Sequence, residues 1–390
     1  MRARPRRRKL PCMATSLDPK TTLSQIPLRL SSKDATERFE TVIIGAGQAG
    51  LALGYHLAGR GRPFVILEAS ARVGDVWRNR FDSLRLYSPA RYDALPGMAF
   101  PGEPWAFPTK DEMADYLEAY ARRFELPVRT GVAVSELSRG ADGYLVRAGE
   151  LLLAAERVVV ASGTWQSPVT PSFAGELDPS IRQMHSNDYR NPSQLEVGPV
   201  LVVGASHSGS DIAYEVARAG HLTILSGKIH GEIPVRIESR KARYGFPLLW
   251  FLANHVLTLR TPIGRKMRSE VRGGGGPLLR VKRADLAEAG VEHTESRVAG
   301  VDAGRPVLDD GRVLDVANVV WCTGFRKDTG WIRFPVGVGD DGWPEQKLGV
   351  VESSPGLYFI GLPFLQAFGS MLVGGVGRDA KRVAKHIAAH

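Results

Sequence analysis

The sequence predicts an α/β protein built of two similar three-layer domains, the second inserted into a discontinuous first. Three observations carry that prediction. A short apolar strand runs into a glycine-rich turn twice along the chain, at Gly45 and at Gly204. Each copy continues to a strand ending in a small–Ser/Thr–Gly triplet, Ala161-Ser162-Gly163 and Cys322-Thr323-Gly324. The separations nearly match, 118 positions from Gly45 to Gly163 and 120 from Gly204 to Gly324, as two copies of one architecture require.

The first copy opens at Thr41-Val42-Ile43-Ile44, a buried-type strand. It enters Gly45-Ala46-Gly47-Gln48-Ala49-Gly50, a helical stretch from Leu51 to Gly59, and the strand Phe64-Val65-Ile66-Leu67, which ends in Glu68. Strand, glycine turn, helix and strand with a terminal acid form the dinucleotide-binding, Rossmann-like fingerprint. The first glycine permits the tight turn, the second admits a pyrophosphate to the backbone, and the third lets helix pack on strand. The helix N-terminus then offers free N–H groups to the phosphates, and Glu68 is placed to accept from a ribose 2′-hydroxyl.

The second copy opens at Pro199-Val200-Leu201-Val202-Val203 and enters Gly204-Ala205-Ser206-His207-Ser208-Gly209. A helix is expected over Asp211–Ala219 and a strand over Leu222–Leu225. Here no acid follows; Ser226-Gly227-Lys228 puts a hydroxyl and a cation where a 2′-phosphate would sit. The middle glycine has become Ser206. The strand Gly356–Gly361 and an amphipathic helix over 374–389 return the chain to the first domain. The expected boundaries are 39–165 with 326–390 for the first domain and 166–325 for the second, with 240–280 a substrate-channel or lid insertion.

The chain has 390 residues, 43% hydrophobic and 24% charged, enough for a core in two or three domains. Its net charge of +10 invites an acidic partner, but the distribution argues against nucleic acid. Residues 1–33 hold nine basic side chains against Asp18, so the remainder carries only +2. Residues 1–38 read as a disordered basic leader, with Met13 a second candidate start. No apolar h-region follows the arginine pairs, and the longest apolar stretch, Phe246–Leu259, is about 14 residues, too short to span a bilayer. A cytoplasmic protein with no integral membrane segment is expected. Cys12 and Cys322 supply no CxxC redox pair, disulfide framework or cysteine-based zinc site, and no metal is expected.

With both fingerprints and the linking segment in place, the sequence resembles the flavin-containing monooxygenase family, the class B FAD- and NADPH-dependent monooxygenases, from about residue 40 onward. The resemblance is carried by the turn at 45–50 and by Gly74-Asp75-Val76-Trp77-Arg78, similar to that family's G-G-x-W-R. Phe173-Ala174-Gly175 followed by His185-Ser186-Asn187-Asp188-Tyr189-Arg190 is similar to F-x-G…H-S-x-x-Y-K, and Trp321-Cys322-Thr323-Gly324-Phe325 to F/L-A-T-G-Y. Leu84-Arg85-Leu86-Tyr87-Ser88-Pro89 with Leu95-Pro96-Gly97 most resembles bacterial members, and plant indole-pyruvate monooxygenases more distantly.

The resemblance implies FAD on the first fingerprint, with further contacts from Ala69, Val76, Trp77, Arg78, Leu86, Val134 and the triplet at 161–163. It implies NADPH on the second, reached by Ser226, Lys228 and the triplet at 322–324. Hydride passes to the flavin, O₂ adds to give a C4a-(hydro)peroxyflavin, and one oxygen atom goes to a small organic substrate. The cofactor carries the hard chemistry, which suits a chain without an evident triad or acid–base dyad. Ser88 stands near the place where amine- and sulfide-oxidising members carry an Asn. Tyr189-Arg190 stands where the Baeyer–Villiger signature ends in Trp-Pro or Trp-Asp, and the activated-carbonyl chemistry of the plant branch stays open.

Bland readings accompany these assignments. Trp77 and Arg78 cover the isoalloxazine edge, or are a packed Trp beside a solvated Arg. His185 touches the nicotinamide nucleotide or relays protons, or is a structural hydrogen-bonder in a linking loop. His207 meets nicotinamide or phosphate, or points to solvent; Cys322 is inert core rather than a reactive thiol. Val134 pairs with the adenine through its backbone, compatible with an ordinary strand residue, and Gln366 reaches the flavin ring from the loop before the last helix. Segment 247–272, an apolar helix and then a basic turn, lines a channel, touches a membrane surface or forms a homodimer face, and Gly273–Gly276 reads as a flexible lid or hinge. The rival activities are an FAD-dependent NAD(P)H oxidoreductase without oxygenation and a redox-sensing flavoprotein.

Overall fold

The computed structural model describes residues 36–164, 166–273 and 275–390, so the expected leader lies outside them except for its last positions, where the first strand already begins. The chain runs β1 (Glu37–Ile44), α1 (Gln48–Ala58), β2 (Phe64–Leu67), the single turn α2 (Asp75–Arg78), α3 (Lys110–Arg123), β3 (Val128–Arg129), the hairpin β4 (Glu136–Gly140) and β5 (Gly143–Ala148), and β6 (Leu151–Val160). It continues through β7 (Ser167–Pro168), β8 (Arg182–His185), β9 (Val200–Val203), α4 (His207–Arg218) and β10 (Thr223–Ser226). Then come α5 (Arg240–Phe251), α6 (Pro262–Gly273), α7 (Arg283–Glu288), β11 (Glu292–Thr294), the hairpin β12 (Val298–Asp302) and β13 (Arg305–Leu308), β14 (Asn318–Trp321), β15 (Phe325–Arg326), β16 (Leu357–Phe359) and α8 (Val376–Ala389).

Two parallel five-strand arrangements repeat one order. The first is β3-β2-β1-β6-β16 and the second β11-β10-β9-β14-β8. Both expected units are present, and the α/β expectation holds. The equivalent fifth strands come from opposite places in the chain: β8 precedes its fingerprint, while β16 follows every other strand. Besides β1, strand β6 serves two further neighbours. Val158–Val160 pair in parallel with β16, and Leu151–Ala155 pair antiparallel with β5. Where the chain passes between the sheets, β7 and β15 pair antiparallel, Phe325 opposite Pro168.

Burial explains the strands. Val42, Ile43 and Ile44, and all four residues of β9, are buried, as a parallel strand covered on both faces requires. Helix α8 buries Val376, Ala380, Val383, Ala384 and Ile387, a helical stripe, and packs on α1. Helix α3 begins in a capping box, Thr109 accepting from the Glu112 N–H while Glu112 accepts from the Thr109 N–H.

Several boundaries differ from expectation. Helix α1 begins at Gln48 and α4 at His207, three and four residues early, because each glycine turn itself supplies the first helical turn. Val134 lies outside any strand; only Val128–Arg129 pair with β2, and the Val132 N–H extends the contact to the Glu68 carbonyl. The expected basic turn after residue 259 is helical. Arg265, Lys266, Arg268 and Arg272 belong to α6, which buries only Gly264 and Arg272. A Cβ on Gly264 would overlap the Thr258 carbonyl oxygen, so α6 folds back tightly on Thr258, just past the π-helical turn Leu252–Val256 that follows α5. Among the described residues no helix is long and apolar enough to cross a membrane.

Candidate nucleotide-binding and active site

The two glycine turns share one geometry to the level of single hydrogen bonds. The Gly45 N–H donates to the Leu67 carbonyl at 2.7 Å and the Gly204 N–H to the Ser226 carbonyl at 2.8 Å. The Ala161 N–H reaches Ile44 and the Cys322 N–H reaches Val203, both at 2.8 Å. Gly45 and Gly204 both sit at φ 107, which favours glycine. A Cβ on Gly45 would lie 2.6 Å from the Ala161 oxygen, and one on Gly50 or Gly209 would overlap the carbonyl of the turn's first glycine. These four glycines are demanded by the fold.

The middle positions are not. Gly47 is extended, φ −73, and a Cβ there would meet nothing within 4 Å. Ser206 takes the same extended shape at φ −92. The open space over Gly47 faces the start of α1, whose first turn has no side-chain cap and no acid. Helix α4 is the sharper case: Ser206 is among the best N-capping residues yet does not cap. Both helices therefore leave first-turn N–H groups to an anion, and the residues present fit the pyrophosphates of two dinucleotides.

Glu68 ends β2 beside the first turn, accepting from the Ala46 N–H at 2.8 Å and the Ser70 N–H at 2.9 Å, and Ala69 is exposed next to it. Gly361 joins them, at φ 78 and so close to α1 that a Cβ would lie 2.9 Å from that of Ala49. That residue was missed in the sequence, although the strand delivering it was seen.

At the second site the phosphate pair divides. Ser226 is 1% exposed and its hydroxyl donates to the Ser296 carbonyl at 2.7 Å, a packing bond. Lys228 is exposed and makes no ion pair among the described residues. His207 does not point to solvent: its Nε2 lies 2.7 Å from the Pro277 carbonyl oxygen, and its ring meets Tyr87 at 5.3 Å. Gly276 lies so close that a Cβ would sit 2.7 Å from the His207 ring, so the glycine-rich loop covers this turn. Burial lowers the His207 pKa, against the pull of the Pro277 carbonyl.

Other expectations resolve as follows. His185 is 5% exposed with both ring nitrogens committed: Nδ1 accepts from the Asn187 N–H at 3.0 Å, and Nε2 lies 3.1 Å from the Gly324 oxygen. The first bond fixes the neutral tautomer with the proton on Nε2, and burial lowers the pKa. His185 thereby ties β8 to the crossing at β15. Arg78 is not solvated. It bonds Asp75 at 3.1 Å and Asp115 and Glu118 at 2.8 Å, fastening α2 to α3. Trp77 packs against the first core, Val76 is 45% exposed, and Leu86 is 6% exposed within that core. The Cys322 thiol is pushed up to about 12 by burial and is inert. Thr323 donates to the Val169 carbonyl.

Ser88 reveals a residue that the sequence concealed. Its hydroxyl donates at 2.6 Å to Asp93, a wholly buried acid whose second oxygen has no partner. Burial pushes the Asp93 carboxyl up to about 8, the Ser88 bond opposing, so near neutrality it holds a proton. In its sequence setting, Arg91-Tyr92-Asp93-Ala94-Leu95-Pro96-Gly97, Asp93 looks like an ordinary turn acid. Gln366 is 8% exposed with its Oε1 unpartnered, a buried acceptor that fits a bound group with a hydrogen to donate. Its N–H and that of Ala367 both donate to the Ser370 hydroxyl, which in turn bonds Asp379 in the first turn of α8. A further buried group joins the sheets: the Tyr87 hydroxyl donates to Asp211 at 3.0 Å, and Arg280 reaches the same carboxylate at 3.2 Å and the Ser83 carbonyl at 3.2 Å.

Comparison with known proteins agrees with this geometry. Residues 42–231 match the family model described as pyridine nucleotide-disulphide oxidoreductase. An oxidoreductase of Geobacillus kaustophilus named "Uncharacterized oxidoreductase CzcO-like" is 38% identical over 351 residues, 90% of this chain and 99% of that one. The probable indole-3-pyruvate monooxygenase YUCCA3 of Arabidopsis thaliana is 27% identical over 89% of this chain and 86% of its own length. In fold, a flavin-containing monooxygenase from Stenotrophomonas maltophilia superposes with a TM-score of 0.70 at 24% identity, over 91% of this chain and 99% of that one. Two uncapped helix starts of one design, with an acid beside the first and an exposed cation beside the second, suit the two dinucleotides FAD and NADP(H), and this chain belongs to the flavin-containing monooxygenase family.

Proposed function

We propose that this FAD- and NADPH-dependent monooxygenase transfers one atom of O₂ to a small organic molecule by way of a C4a-(hydro)peroxyflavin, in the cytoplasm. The observation that carries the reading is the pair of glycine turns, matched bond for bond, each opening an uncapped helix. FAD, when bound, supplies the activation of O₂. The chain's own residues bind, orient and exclude water. The turn at 45–50 holds the first pyrophosphate and Glu68 the ribose of FAD, while the 204–209 turn and Lys228 hold NADPH. The domain division follows: 39–165 with 326–390 carries FAD and 166–325 carries NADPH. Gln366 presents its free oxygen to the flavin, and the protonated Asp93 keeps the Ser88 hydroxyl oriented without adding a negative charge.

Stopped-flow absorbance tests the oxygen step. Reduction by NADPH followed by O₂ should give a peroxyflavin band that decays slowly alone and quickly with a substrate. Immediate H₂O₂ release with every candidate substrate would favour the reductase reading instead. Lys228→Ala should raise KM for NADPH at least tenfold more than KM for NADH, and equal changes would remove the 2′-phosphate role from this side chain.

A further inference from the structure

Helix α5 has two apolar faces, and the fold covers only one. Phe246 stacks on Tyr92 at 5.1 Å between ring centroids and Trp250 tilts against the same ring at 5.0 Å, docking the inner face. On the outer side Tyr244, Leu248 and Phe251 are 88%, 61% and 54% exposed. Their i, i+4, i+7 spacing lines them along one stripe. Five of the eleven strongly exposed large apolar side chains among the described residues fall between 244 and 263, so this is a patch and not scatter.

The segment that carries the patch is basic. Residues 240–273 hold eight basic side chains and a single acid, Glu270, in a body that is nearly neutral over residues 34–390. Arg268 and Arg272 are used internally by Asp341. Arg240, Lys241 and Lys266 meet no carboxylate among the described residues, and Arg240 and Lys241 flank the stripe at the start of the helix.

We infer that the outer face of α5 docks on the surface of an anionic lipid bilayer. Tyr244, Leu248 and Phe251 enter the boundary between headgroups and acyl chains, and the unpaired cations meet lipid phosphates. A helix of 12 residues lies in that plane and does not cross it. A second copy fits the face less well, since a two-fold contact would set the uncompensated cations of one copy near those of the other. The docking is independent of the oxygen chemistry.

The test uses the full-length, FAD-loaded chain with vesicles of phosphatidylcholine, plain or with about one-third phosphatidylglycerol. Because residues 1–33 are also basic, the primary readout is local: amide exchange over 244–256 should slow with the anionic vesicles and not with the plain ones. In co-sedimentation, Leu248→Ser with Phe251→Ser should partition at least tenfold more weakly, with FAD content and Tm retained. Should that variant lose FAD, Lys241→Glu with Lys266→Glu replaces it, each lost cation being worth about fivefold in partition. Unchanged exchange over 244–256, or wild-type partition by these variants, overturns the inference. So does a lipid-free dimer in sedimentation velocity that Leu248→Ser with Phe251→Ser dissolves, since a second copy would then own the face.

Discussion

At the residue scale the glycines of the first turn separate two kinds of necessity. Gly50 is needed by the fold, because a Cβ would overlap the Gly45 carbonyl oxygen, whereas the space over Gly47 is open. Gly50→Ala should therefore cost roughly 1–3 kcal/mol in the FAD-free chain. Gly47→Ala should leave that stability unchanged in calorimetry, yet weaken FAD binding about tenfold or more by fluorescence titration, since a methyl group occupies the path of the pyrophosphate. Asp93 supports a pH prediction. Folded, it keeps its proton to about pH 8, while unfolded it releases it in the ordinary carboxylate range. Between those values the folded state binds one more proton than the unfolded, so its contribution to stability is lost as pH rises toward 8. Asp93→Asn keeps the shape without the titration, and its Tm relative to the parent should climb from pH 5 to pH 8; a difference that stays flat would place the titration elsewhere.

At the element scale the helix after each glycine turn begins inside the turn, at Gln48 and at His207. Apolar periodicity could not show this, because a glycine-rich first turn has few side chains to make a pattern. Over 247–272 the sequence reads as an apolar helix followed by a basic turn. Two helices result because Gly264 allows α6 to pass against Thr258, a contact between backbones that leaves no mark on hydropathy. Aromatic contacts with Tyr92 hold α5 in place. Trp250→Ala should free this segment before the rest of the molecule, seen as faster limited proteolysis between 240 and 273 with the main melting transition shifted by less than about 3 °C.

At the scale of the whole molecule two sheets of one order are tied by the β7–β15 pair and by a buried polar group. Asp211, with its side chain 3% exposed, depends on Arg280 and Tyr87. Burial raises its pKa, with Arg280 opposing. Arg280→Ala should cost about 3–5 kcal/mol in denaturant unfolding by stranding the carboxylate. Asp211→Asn in the same chain should recover part of that loss, and a strictly additive pair would mean that the two do not interact.

The sequence by itself determined the duplication, the four obligatory glycines, the acid at the first site and the cation at the second. These are short-range consequences of backbone sterics and charge, written in a few adjacent residues. Tertiary structure alone decided which polar groups are available. It spent the Ser226 hydroxyl on Ser296, one nitrogen of His185 on the Asn187 N–H and the other on the crossing, buried Asp93 beneath Ser88, and left the oxygen of Gln366 without a partner. Whether a polar atom is free depends on neighbours distant in sequence, and burial, which sets the protonation of Asp93, is a property of the packed chain.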